Sequence, residues 1–280
     1  MTSLANNFEP SISMDTRLVS ARTPHHIFVG VSAVVFATSA ALTIVWCGSM
    51  SAMRGMPMPG GWTMSMAWMR MPGQTWPETA ASFMGMWVVM MIAMMMPSLA
   101  PMLWRYRRAV GSTGETHRAW LTILVGIGYF CVWALFGIAI YPLGVVLAAV
   151  EMQQPALARA APIAAGAVVL IAGAIQFTSF KARHLGCCRE APGRGGRLPA
   201  DPGTAWREGV GLGLHCSCCC ANLTAALLAI GVMDLPAMAL VSALITIERL
   251  APRGERAERA VGAVILGIGL FLIERAVGLG

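Results

Sequence analysis

The chain has 280 residues, of which 57% are hydrophobic and only 12% charged, where a soluble domain carries about 25% charged residues. That composition excludes a single water-facing globule, because lipid has to act as solvent for much of this apolar surface. The net charge of +7 comes from arginines beside apolar runs, with Lys181 as the single lysine. It therefore reads as a topology signal, and no nucleic acid is expected as a partner.

Apolar runs occur at 27–47, 80–100, 119–141, 161–180, 209–233, 236–250 and 260–273. About 20 residues at a rise of 1.5 Å cross a hydrocarbon core of about 30 Å. The expectation is an all-α, polytopic transmembrane bundle of about seven helices. The first run follows a long segment containing Glu9 and Asp15, so it reads as a helix and not as a cleaved signal peptide. The third is read as breaking at Tyr141-Pro142. The polar stretches 1–26, 48–79 and 181–208 are each below the roughly 40 residues needed to fold alone. The chain thus divides into a cytoplasmic segment, 1–26, and one transmembrane domain, 27–280.

Orientation follows from the basic residues. The N-terminus, 105–118, 181–208 and 249–259 together hold 16 of the 20 lysines and arginines. Placing them inside puts the N-terminus in the cytoplasm, the C-terminus outside, and the loop 48–79 outside.

The strongest chemical signal is the run His215-Cys216-Ser217-Cys218-Cys219-Cys220, about two turns into the fifth apolar run. Residues three and four apart share a helix face. His215 pairs with Cys219, and Cys216 with both Cys219 and Cys220, while Cys218 points elsewhere. A second cluster, His184, Cys187 and Cys188, follows the fourth run in the basic loop. Reducing conditions on that side argue against structural disulfides, which leaves metal ligation or redox cycling.

Methionine is the third signal, with 21 in the chain. Met50, Met53, Met56, Met58, Met64, Met66, Met69 and Met71 crowd the outer loop, where exposed methionine has no packing purpose. Others descend the second run to Met94, Met95 and Met96 at its inner end. Thioethers and thiolates are soft ligands that select Cu(I), with zinc as the alternative ion. Glu248, near the inner end of the sixth run, is costly at membrane depth. It reads as part of a cation site or proton relay, or else as a partner of Arg249. Gln176 and Asn222 read as interhelical hydrogen-bonding residues.

Several motifs resemble a bacterial family of predicted metal-binding integral membrane proteins of unestablished function. They are Trp87 with Met90-Met91-Ile92-Ala93-Met94-Met95-Met96-Pro97 and Pro101; Gln176, Lys181, Leu185, Cys188-Arg189 and Pro192; and Cys216, Cys219-Cys220, Gly231-Val232-Met233, Met238 and Glu248. The family pattern has glycine where Cys218 stands and cysteine where His184 stands. The resemblance implies metal binding and a bacterial cytoplasmic membrane, without supplying a reaction.

The expected function is Cu(I) binding and transfer from outer methionines to inner Cys and His ligands, in a protein that is not an enzyme. A metal chaperone or a membrane enzyme complex would be the partner. A membrane thiol-disulfide oxidoreductase and a structural subunit of a membrane complex are the alternatives. No phosphate loop ending in Gly-Lys-Ser or Gly-Lys-Thr is present, which excludes an ATP motor of that type.

Overall fold

The computed structural model describes residues 11–52, 55–70, 73–111, 114–179, 181, 197–251 and 254–278. Seven α-helices lie among them: α1 (Ser11–Ala52), α2 (Trp76–Ala109), α3 (Glu115–Gln153), α4 (Pro155–Ile175), α5 (Pro202–Ile230), α6 (Leu235–Leu250) and α7 (Gly254–Gly278). Between α1 and α2 sits a two-stranded antiparallel hairpin, β1 (Met56–Pro57) with β2 (Thr63–Met64), pairing Met56 with Met64.

Helix starts carry local signals. Glu78 accepts the Thr75 N–H at 2.8 Å in front of α2. Asp201 accepts the Thr204 N–H at 2.9 Å before α5, and Asp234 accepts that of Ala237 at 2.7 Å before α6. Each side chain satisfies a backbone donor that has no partner within its helix. Gly231, at φ 144°, ends α5 in a conformation that disfavours other residues.

Six of the helices, all but α6, are long and apolar enough to cross a membrane. The expected sixth span, 236–250, is the one that falls short. With 16 residues, α6 rises about 24 Å, less than the hydrocarbon thickness. The expected break at Pro142 is also absent, since α3 continues through it to Gln153. Pro97, Pro101 and Pro162 likewise lie inside helices. Spanning bundles tolerate proline because neighbouring groups satisfy the freed backbone carbonyls.

The most apolar stretch of α2 is 61% buried and that of α1 only 6%, so α2 runs through the core and α1 lies on the outside. Glycines set the closest approaches. A Cβ at Gly213 of α5 would stand 2.9 Å from Val132 Cγ2 and 3.0 Å from the Tyr129 carbonyl oxygen of α3. Gly173 of α4 faces the Leu266 backbone of α7 in the same manner, at 2.9 Å. Small residues at such crossings let helices pack by dispersion where no hydrophobic drive exists between them.

The two ends of the bundle are distinct. At one, Leu198 N–H donates to the Ala109 carbonyl at 3.0 Å, and His117 Nε2 bonds the Ala200 carbonyl at 3.1 Å. At the other, Trp62 Nε1 of the hairpin donates to Ala158 at the start of α4, at 2.8 Å. The methionine hairpin and the segment leading into α5 therefore lie at opposite ends.

Candidate metal centre

The helix α5 begins at Pro202, seven residues before the apolar run, because Pro202 and the Asp201 cap start it in the polar segment. Cys216 consequently lies about four turns into the helix, deeper in the bundle than the two turns expected. Met94, Met95 and Met96 likewise sit in the middle third of α2 and not at its inner end.

Three thiols converge there. Cys216 Sγ lies 3.7 Å from Cys220 Sγ, and Cys219 Sγ lies 3.8 Å from Cys220 Sγ. All three are at most 1% exposed. Cys219 Sγ is turned to the Cys216 carbonyl at 3.4 Å. Among the described residues no three or more His, Cys, Asp or Glu side chains stand ready around one point as a metal site. The spacing nevertheless suits a soft ion. Thiolates about 2.3 Å from a metal, the zinc–sulfur distance, lie about 3.8 to 4.0 Å apart in tetrahedral or trigonal arrangements.

The polar surroundings of Cys216 come from two other helices. Tyr129 OH of α3 donates to its sulfur at 2.9 Å, and Arg249 of α6 donates through NH1 at 3.3 Å. The same NH1 is 3.0 Å from Ser98 Oγ of α2, and Ser98 in turn donates to the Met95 carbonyl at 3.1 Å. Arg249 is 3% exposed. Among the described residues it has no carboxylate partner, and its Nε has no hydrogen bond. A buried cation needs an anion, and the group placed to become one is the Cys216 thiol.

A second polar cluster lies against the back of α5. Lys181, 2% exposed, donates to the Cys219 carbonyl and to Asn222 Oδ1 at 3.2 Å. It also pairs with Glu248 at 2.9 Å. Gln176 Nε2 donates to the other Glu248 oxygen at 2.6 Å, and Asn222 Nδ2 to the Ala172 carbonyl at 3.0 Å. Glu248 therefore pairs with Lys181 and not with Arg249. Adjacent helix residues point about 100° apart, so the two neighbours serve two clusters. Gln176 and Asn222 are the interhelical hydrogen-bonding residues expected of them.

The other sequence candidates are dispersed. His215 is exposed, with Nδ1 2.7 Å from the Gly211 carbonyl. It stands about 100° round the helix from Cys216, at the rim of the buried face, so the expected shared face does not bring it to the thiols. Cys218 is exposed as well. Met94 and Met95 are buried one turn from Ser98, whereas Met96 lines an apolar cavity against α1 and α3. Between α1 and α2, Met58 and Met64 are buried in a small core with Ala148 and Ala158, contrary to the exposure expected of them. Met50, Met66 and Met69 are half-buried and Met56 is exposed. His184, Cys187, Cys188, Met53 and Met71 lie outside the described residues.

Sequence reasoning missed Tyr129, Ser98, Arg249 and Lys181 as members of the centre. Arg249 and Lys181 had been read as charges at the membrane surface. A basic residue one place from a buried carboxylate is the signal that could have found Arg249. Nothing in the spacing links Tyr129 to a thiol 87 residues away.

A buried thiol triad, capped by a guanidinium within a bundle of long apolar helices, defines the class: a helical protein suited to a soft metal. The family model for PpoB2, described as a copper chaperone, matches residues 84–272. The chain belongs to that family, which places it among proteins that handle copper. The matched range includes the thiols, Tyr129, Ser98, Arg249 and the Lys181–Glu248 pair. No curated protein and no solved structure matches the chain.

Proposed function

We propose that this protein is a non-enzymatic, multi-pass copper chaperone of a bacterial cytoplasmic membrane. It holds Cu(I) on Cys216, Cys219 and Cys220. The observation that carries this reading is the approach of three buried thiols, 3.7 and 3.8 Å apart along two edges, beside a buried arginine. Cu(I) bound by two thiolates carries one net negative charge, and Arg249 cancels it. Binding releases the protons of the Cys216 and Cys220 thiols, and Cys219 turns from the Cys216 carbonyl to add a neutral thiol as a third, weaker ligand. The Tyr129 hydroxyl orients Cys216. Zinc, which prefers four ligands, would find one too few in this triad. Met94 and Met95 supply softer, uncharged sulfur on the neighbouring helix, and the hairpin methionines at the other end offer a first point of capture. Transfer to a partner then proceeds by ligand exchange, with no energy-coupling module required.

The test is metal content. Protein purified anaerobically in detergent and loaded with Cu(I) is expected to hold about one copper per chain by mass spectrometry, in keeping with a single soft-ligand site. A Cys216/Cys219/Cys220→Ser variant should lose it. Zinc in place of copper would point to a structural site. No metal in the wild type, together with a reversible Cys216–Cys220 disulfide, would replace this reading with thiol redox chemistry.

A further inference from the structure

An apolar cavity of about 1660 Å³ lies between α1, α2 and α3, away from the thiols. That exceeds the about 300–1,000 Å³ of a pocket for a drug-sized ligand. Val31 and Val35 of α1, Val88 and Ile92 of α2, and Ile127 and Phe130 of α3 form its walls. One end alone is strongly polar. There Arg107 and Arg108 close α2, while Glu115 and Arg118 open α3. Glu115 binds Arg107 at 2.7 Å and lies 3.9 Å from Arg118. Arg108 is exposed and has no ion pair among the described residues. Among the described residues lining the cavity, the three guanidinium groups thus outnumber the one carboxylate.

Aromatic rings mark the depth of this basic end. Trp104 lines the cavity, with its ring 4.7 Å from that of His25 and 5.4 Å from that of Phe28. Indole rings concentrate at the headgroup level of a bilayer. The walls differ in length. From Val88 to Arg108, α2 contributes about 30 Å, whereas α1 from Ile27 to Val35 contributes about 12 Å. The cavity is enclosed on three sides only near the arginines, within about one leaflet, and continues as a two-walled groove beyond. Its shape and charge call for a ligand with an anionic head and a long apolar body.

We propose that this groove holds one anionic glycerophospholipid, with its phosphate among Arg107, Arg108 and Arg118 and an acyl chain along Ile92 and Ile127. The proposal rests on the chain spanning a membrane and is independent of copper. Basic pockets between spanning helices bind anionic headgroups. A zwitterionic lipid would leave the excess cationic charge uncompensated. A small soluble anion would leave the apolar walls unfilled.

The experiment uses the full chain, purified in detergent and stripped of lipid. Phosphatidylglycerol and phosphatidylcholine of equal chain length are added together, and retained lipid is read by native mass spectrometry. One phosphatidylglycerol per chain is expected. Arg108→Gln should weaken its retention about fivefold, and Arg107/Arg108/Arg118→Gln should abolish the preference. An Ile92→Trp/Ile127→Trp variant, which fills the groove and leaves the arginines intact, should also expel the lipid. Equal retention of the two lipids, or an undiminished preference in the triple variant, would overturn the proposal. So would displacement by inorganic phosphate, which would mark a soluble-anion site, or a second copy of the chain bound in place of lipid. Recovery of the chain in carbonate-washed membranes is measured on the cells from which it is purified, before detergent is added. Its failure would remove the membrane reading itself, a result distinct from failure of the lipid site.

Discussion

Arg249 carries the heaviest electrostatic cost at the centre, because a guanidinium with no carboxylate partner among the described residues has given up water for neutral partners. Its bonds to Cys216 and Ser98 lower that cost only in part, and a thiolate or a bound cuprous dithiolate would lower it further. Removing the cation should therefore weaken copper more than it disturbs the fold. Arg249→Met is expected to lower Cu(I) affinity about ten- to hundredfold, the range for a hydrogen bond to a charged group. Competition against a colorimetric Cu(I) chelator gives the measurement, and Arg249→Lys should recover part of the loss. Unchanged affinity in the Met variant would show that Arg249 has no role in holding the metal. The sequence placed the three cysteines on one face from spacing alone. It could not bring Arg249 or Tyr129 to them, because those contacts span 33 and 87 residues and depend on how α3 and α6 cross α5.

Helix crossings are therefore the next level of control. Tyr129 reaches Cys216 only because α3 and α5 approach closely at glycines. A side chain at Gly213 would meet Val132 and the Tyr129 carbonyl, whereas one at Gly211 has nothing within 4 Å. Gly213→Val is expected to cost about 1–3 kcal/mol by overpacking. It should lower the thermal midpoint in detergent and also weaken Cu(I), since Tyr129 is carried away from the thiol. Gly211→Ala serves as the control and should lower neither quantity, the midpoint rising slightly because alanine is the better helix former. Equal behaviour of the two variants would disprove the link between this crossing and the site. Which glycine of α5 faces a neighbour is not legible in the sequence, since Gly211 and Gly213 differ only in where α3 lies. The same holds for proline: Pro142 reads locally as a break, and the surrounding bundle lets α3 continue through it.

For the whole molecule, the open quantity is the number of crossings. Six helices satisfy length and hydropathy, yet α6 runs from the turn at Asp234 to Arg249, which meets the thiols beside Ser98. It thereby travels in the same direction as α2. Gly166 against Ile273 and Gly173 against Leu266 make α7 antiparallel to α4. We predict that cysteines introduced at Gln74 and Gly278 react with an impermeant maleimide from one side of sealed vesicles, and one at Pro199 from the other, as mapped by peptide mass. Gly278 reacting on the Pro199 side would mean that α6 does not complete a crossing.

By itself the sequence determined the helical, strongly apolar character of the chain, the approximate positions of its helices and the thiol face of α5. Each of these depends on composition or on a helical period and so on neighbours within a few turns. Only the tertiary structure decided that Glu248 pairs with Lys181, that Arg249 caps Cys216, that His215 stays outside the centre, and that five of the six described methionines within 48–79 are not exposed. Those outcomes turn on which helix lies beside which, at what angle and at what depth. Packing between helices settles such questions, and no local pattern encodes them.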